Sequence, residues 1–180
     1  MLCLLFPLLA TANHWDETKY QQILQSIQQP QISGKDYLIT KFGAKPTATA
    51  AETQKAIQKA IDKCSKKGGG RVIIPAGQTF KTGAISLKSH VNLHVEEGAT
   101  LMFVFEPKLY PIVETSWEGL ECFNLSPCVY AFKQTDIAVT GKGTIDGGGS
   151  NETWWPWCGA PKFGWKEGMI SQKIEAAPDC

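Results

Sequence analysis

Arginine and histidine are scarce in this chain. Arg71 is the only arginine, and His14, His90 and His94 are the only histidines among 180 residues. No two of the six cysteines stand at Cys-x-x-Cys spacing, so a zinc site is not expected, nor is any other metal or cofactor. Charge of one sign is also lacking. There are 18 basic and 17 acidic residues for a net charge of +1, and the longest basic run is Lys66-Lys67. Nucleic acid and anionic membrane surfaces are therefore not expected partners. An acidic polysaccharide stays open, because a cleft needs only a few local cations. The glycine run 147–149 is not followed by Gly-Lys-Ser/Thr and lies in no strand–GxGxxG–helix setting, which argues against phosphate binding. No apolar run is long enough to span a bilayer.

The apolar start, residues 1–12, ends in small residues at Ala10 and Ala12. It is expected to be an export signal cleaved after Ala12, although it lacks the usual basic leader residues. The protein is accordingly expected to be secreted or periplasmic. Removing Cys3 with the signal leaves five cysteines. An odd number leaves a free thiol or a partner beyond Cys180. Cys122 and Cys128 can pair across a loop, but several of the five are expected to be small core residues.

With 43% hydrophobic and 19% charged residues, the chain can bury a core. Residues 13–35 read as a helix and linker. Tyr20, Ile23, Leu24 and Ile27 form one apolar stripe over 16–28, Asp16 can cap its start, and Pro30 lies beyond its end. A strand is expected at Tyr37–Thr40, then a turn at Gly43. Thr49 and Glu52 make a capping box for a second helix over 50–66, with Ile57, Ala60, Ile61 and Cys64 on its apolar face and Gly68-Gly69-Gly70 at its end.

From Gly70 onward the pattern becomes short strands broken by glycine, and it repeats. Val72-x-Ile74-x-x-Gly77-x-Thr79-Phe80 returns as Leu93-x-Val95-x-x-Gly98-x-Thr100-Leu101, each position shifted by 21. A weaker copy, Ile137-x-Val139-x-x-Lys142-x-Thr144-Ile145, stands 44 further on. That distance suggests two units, with one irregular unit between. Alternation turns one strand face inward, and the glycine permits a sharp corner. One unit cannot bury its face alone, whereas stacked units can. The leucine-rich repeat has a similar period, but its asparagine ladder is absent. The fold expected for 36–180 is an all-β solenoid, a right-handed parallel β-helix seen in its first coils. The 50–66 helix is its expected N-terminal cap. Residues 104–127 break the pattern and read as a long loop, where binding residues usually sit.

The ordered set Phe42-Gly43-Ala44, Gly68 to Val72, Pro75-Ala76-Gly77, Thr82-Gly83, Leu87-Lys88-Ser89, Val91 to Leu101, Trp117-Glu118-Gly119 and Gly141 to Gly147 resembles the N-terminal region of glycoside hydrolase family 28, the polygalacturonases, bacterial members especially. The resemblance covers about residues 37–167. It implies inverting hydrolysis of α-1,4 bonds in galacturonan, with pectic polysaccharide or oligogalacturonide as partner and a monomeric complete protein. Inversion needs a carboxylic acid and a carboxylate roughly 6.5–9.5 Å apart. The family supplies these from Asn-Thr-Asp and Asp-Asp motifs, supported by Gly-His-Gly and Arg-Ile-Lys, on later coils. None of these motifs occurs here, and Asp16, Asp36, Asp62, Asp136, Asp146 and Asp179 include no adjacent pair. No catalytic residue is therefore assigned. The catalytic groups are expected beyond Cys180, with this chain as an N-terminal part that is inactive alone. The alternatives are a pectate-lyase-like β-helix, which would need an acidic calcium cluster and a basic proton acceptor, and a non-catalytic carbohydrate-binding β-helix.

Glu118, Trp154 and Trp155 are the candidate substrate-binding residues. Glu118 can bind a sugar hydroxyl or loop backbone equally well. Trp154, Trp155, Trp157, Phe163 and Trp165 form an aromatic cluster that can line a sugar site or pack beneath loops, with packing favoured. Asp146 reads as a turn residue. His94 reads as a surface or inter-coil hydrogen-bonding group. Asn151-Glu152-Thr153 fits a glycosylation acceptor.

Overall fold

The computed structural model describes residues 16–117, 119–164 and 166. The chain divides into two compact units, 1–30 and 31–180. The export signal expected at 1–12 lies outside the described residues.

In the first unit, α1 (Glu17–Ser26) is capped as expected, with Asp16 Oδ1 accepting from the Lys19 N–H at 3.0 Å. Its apolar stripe is exposed along its whole length, and no α1 residue is buried.

The second unit opens with β1 (Lys35–Leu38) and a 3₁₀ turn, Ile39–Phe42. The strand expected at 37–40 thus starts two residues earlier. It ends where Ile39 turns into the core, fully buried. α2 (Ala50–Lys66) follows, its capping box closed in both directions. Its buried face carries Ala56, Ile57, Ala60, Ile61 and Cys64, and these share one core cluster with the strands that follow.

Those strands are β2 (Gly70–Ile74), β3 (Thr79–Thr82), β4 (Ile85–Ser86), β5 (Val91–Val95) and β6 (Thr100–Phe103). After them come β7 (Ile112–Trp117), β8 (Leu120–Leu125), β9 (Val129–Tyr130), β10 (Ala138–Gly141) and β11 (Thr144–Asp146). Three parallel sheets run along the stack, ordered β1-β2-β5-β10, β3-β6-β11 and β4-β9. Val72 pairs with Leu93, Ile74 with Val95 and Phe80 with Leu101, which is the shift of 21 expected from the repeat. All six side chains are buried. The repeat glycines Gly77 and Gly98 sit at the corner with φ of 71° and 77°, where a side chain would be strained.

The third copy departs from the expected register. β10 pairs directly with β5, so no irregular coil lies between them. The extra residues are instead an excursion from the second coil. Leu93 stands beside Val139, a shift of 46, while Thr100 stands beside Thr144, a shift of 44. The corner explains the difference. Four residues link β5 to β6, but only Lys142 and Gly143 link β10 to β11. Losing two residues keeps the period-2 facing intact, so Ile145 still stacks on Leu101. Gly141 makes the short corner fit, since a Cβ there would lie 1.9 Å from the Val95 carbonyl oxygen.

The excursion is not an irregular loop. β7 and β8 form an antiparallel hairpin from Ile112↔Leu125 to Trp117↔Leu120. A short 3₁₀ turn, Pro107–Leu109, precedes it.

α2 also occupies an edge of the third sheet. The Gln58 side chain accepts from the Ser86 N–H at 2.9 Å and donates to the Ser86 carbonyl at 3.0 Å. Gln54 donates to the carbonyls of Ala84 and Leu109 at 2.6 and 2.8 Å. A side-chain amide here does what a neighbouring strand would do for β4.

Burial pushes the Cys64 thiol from 9.0 up to about 11. The folded chain then keeps a proton that the unfolded chain releases, so this contribution to stability is complete below pH 9.0 and declines as the pH climbs to about 11. Urea titrations should show the stability advantage of the parent over Cys64→Ala shrinking across that window. A constant difference would mean that the thiol is not desolvated.

Candidate functional site

The hairpin and the segment after β11 flank a cavity beside the stack. Alternation decides which hairpin side chains face it. Cys122 and Asn124 are buried and Thr115 is half-buried, while Glu114, Glu121 and Phe123, on the opposite face, are exposed. The cavity has a volume of about 440 Å³. Thr115, Ser116 and Asn124 line it from the hairpin, Ser126 and Cys128 from the return to β9, and Tyr110, Trp154 and Trp157 as its aromatic wall.

Edge-to-face contacts fix that wall. Trp154 meets Phe105, Tyr110 and Trp157 at ring separations of 4.8, 4.9 and 5.3 Å, within the favoured range for such pairs. The expected packing role of the cluster is therefore present, and the same rings face a cavity. Trp154 Nε1 is buried and has no hydrogen-bond partner among the described residues. The Tyr110 hydroxyl donates to the Val104 carbonyl at 2.8 Å. Burial, reinforced by the neighbouring Cys128 thiol, raises its pKa well above the ordinary value. Burial likewise raises that of Cys128.

The candidate residues separate. Trp154 joins Trp157 in the cavity wall. Trp155 is half-exposed, contacts Phe163 at 6.2 Å, and lines a shallower recess of about 350 Å³ with Cys158. Glu118 and Trp165 lie outside the described residues. Tyr110, Thr115, Asn124 and Ser126 were not selected from the sequence. The usable signal was Gly119 between two runs rich in alternating β-branched and apolar residues, which marks a hairpin and hence its inward face.

Asp146 accepts from the Gly148 N–H at 2.8 Å, as expected of a turn aspartate. His94 Nδ1 lies 2.8 Å from Thr140 Oγ1, which donates to Asn92 Oδ1 at 2.8 Å. This links neighbouring coils on their outer face, again as expected. Beside it, Arg71 grips Asp36 with two bonds of 2.8 and 2.7 Å, which holds the Asp36 pKa below its ordinary value. Among the described residues the cysteines are all free: Cys64 and Cys122 are buried, Cys128 is half-buried and Cys158 is exposed. No group of three or more acidic, histidine or cysteine side chains suited to a metal ion occurs among the described residues.

The chain superposes on the hyperthermoactive exopolygalacturonase of Thermotoga maritima with a TM-score of 0.77 and 41% identity, covering 84% of this chain and 34% of that one. The chain resembles the N-terminal region of the family 28 polygalacturonases. The family 28 exopolygalacturonase of Yersinia enterocolitica matches with a TM-score of 0.54 and 32% identity, over 64% of this chain and 21% of that one. In sequence, the exo-poly-alpha-D-galacturonosidase of Dickeya chrysanthemi is 37% identical over 119 residues, 62% of this chain and 19% of that protein. No family model matches. The chain thus spans about a fifth to a third of the length of these polygalacturonases.

The unpaired indole N–H predicts an asymmetric response to substitution. Trp154→Phe keeps a ring in the wall and removes a desolvated donor, so thermal stability should hold or rise. Trp154→Ala should cost about 2–3 kcal/mol in urea unfolding, below the range for fully buried tryptophan. Equal losses in both variants would show that the N–H is satisfied in solution.

Proposed function

We propose that this chain is the N-terminal part of a polygalacturonase-type glycoside hydrolase acting on pectic polysaccharide. The carrying observation is the stacked parallel register together with 41% identity to the Thermotoga maritima exopolygalacturonase over 84% of the chain. In this reading the catalytic acid and base belong to coils beyond the 180 residues, and hydrolysis proceeds with inversion. The coil is right-handed, as parallel crossover connections overwhelmingly are. The apolar residues 1–12 direct export, and the complete protein is a monomer. Trp154, Trp155 and Glu118 are the proposed saccharide contacts, Trp154 in the cavity and Trp155 in the adjoining recess.

α2 is the proposed cap of the first coil. Two observations support this: its apolar face shares the core cluster of the strands, and its glutamines bond the edge of β4. A chain starting at residue 68 loses both and should aggregate. A soluble, monomeric 68–180 product on size-exclusion chromatography would remove the capping role.

The functional reading is tested on products. Residues 13–180 should release no reducing ends from polygalacturonate, whereas the chain extended through its downstream reading frame should release galacturonate with inverted anomeric configuration by NMR. Hydrolysis by 13–180 alone would overturn the division of labour. Calcium-dependent unsaturated products from the extended chain would replace hydrolysis with elimination.

A further inference from the structure

The cavity beside the hairpin is built for a ligand without charge. Among the described residues, none of the lysines, the arginine, the aspartates or the glutamates lines it. Its ionisable members, Tyr110 and Cys128, are held in their neutral forms by burial. The nearest acidic neighbours in sequence are Asp146, beside Gly147, and Glu114, beside Thr115. Neither would welcome an anion. Lys108 is engaged with Glu106 at 3.3 Å.

The polar complement is hydroxyl and amide. Asn124 Oδ1 accepts from the Leu125 N–H at 2.7 Å, and nothing among the described residues pairs with its amide nitrogen. The hydroxyl of Thr115 likewise has no partner there. Tyr110, Trp154 and Trp157 line the same cavity. A pyranose matches such a wall, with C–H faces for the aromatics and hydroxyls for the neutral polar groups. A galacturonate unit would add a carboxylate. Desolvating that group against aromatic rings, with no cation to meet it, is unfavourable.

We propose that this cavity is a saccharide subsite selective for an uncharged pyranose, either a neutral hexose or a methyl-esterified uronate, over a free uronate. The proposal rests on the polygalacturonase-type reading and narrows it. One position along the pectic chain would be read for the absence of charge, so that neutral or esterified units are accommodated beside the unesterified stretch. Thr115, Asn124 and Trp154 are its specificity-determining residues.

Three probes sharing one ring separate the terms: methyl α-galactopyranoside, methyl α-galacturonoside and the methyl ester of that galacturonoside. Each is titrated into the 180-residue chain at neutral pH and low salt, followed by tryptophan fluorescence and by saturation-transfer NMR. The neutral glycoside and the ester should both bind, with the free acid at least about tenfold weaker. Thr115→Val and Asn124→Ala should weaken the ester several-fold. Thr115→Lys, on the cavity side of the hairpin, should close the gap by giving the acid a cation, and it stays informative if a tryptophan variant fails to fold. Binding of the acid as tight as the ester, or binding of none of the three, would overturn the proposal. A preference for the acid would do so while leaving the polygalacturonan reading intact, because that reading is judged on products of the extended chain. A neutral preference with no hydrolysis from the extended chain would keep the subsite and remove the enzyme.

Discussion

A strand of four or five residues with two or three apolar side chains cannot hide them by itself, and every other feature of this molecule follows from that limit. Val72 is dry because Leu93 lies beside it, and Leu101 because Phe80 does. Each coil supplies its neighbour with both apolar cover and backbone hydrogen bonds. The terms are coupled through register: a slip of one residue would turn the apolar set outward, while a slip of two would not. That explains why the third coil tolerates a corner shortened by two residues. It also explains why the outer face can carry polar links such as Asp36–Arg71 and His94–Thr140 without disturbing the core.

A stack has ends, and the two ends seen here differ. α2 packs Ile57, Ile61 and Cys64 into the core cluster of the strands, and its Gln54 and Gln58 amides bond the backbone at β4. Apolar cover without the glutamines would leave the Ser86 N–H and carbonyl unpaired, and desolvated groups of that kind are costly. At β10 and β11, Val139 and Ile145, whose partners Leu93 and Leu101 are fully buried, are 47% and 42% exposed. An apolar residue at the same coil position is dry or wet according to whether it has a strand on both sides among the described residues.

How far the sequence exposed this architecture depended on whether a signal was local and repeated. The capping box at Thr49–Glu52, the apolar face of α2 and the shift of 21 were readable because each rests on spacing within a few residues or on duplication. The third coil reads wrongly in sequence because the 25-residue excursion, less a corner shortened by two, adds about one repeat length, so a distance of 44 imitates two units. The hairpin reads as a loop in sequence because Pro107 and Pro111 dominate its entry, although Gly119 between two apolar runs carries the contrary signal. The cavity was half legible. Tryptophan is conspicuous in any sequence, and Trp154 was selected. Trp155 beside it was selected equally, because nothing local separates a ring in a wall from one on the surface. Asn124 and Thr115 owe their place to hairpin pairing across as many as eleven residues, which composition cannot show.

The excursion from the second coil is also why a site can exist here. Stacked coils fill their own interior, so the barrel of the solenoid offers no room for a ligand. Recesses arise where an insertion leaves the stack and folds back beside it. The β7–β8 hairpin does this with regular pairing, which fixes Thr115 and Asn124 more firmly than an irregular loop would. The tryptophan segment after β11 then closes the opposite side through edge-to-face contacts with Tyr110, on the approach to the same hairpin. The hairpin and the tryptophan segment thus meet over one cavity, the first stiffened by strand pairing and the second by ring contacts. A stiff recess with no charged side chain among its described lining residues selects by exclusion: the missing cation discriminates as sharply as the hydroxyls and rings it presents.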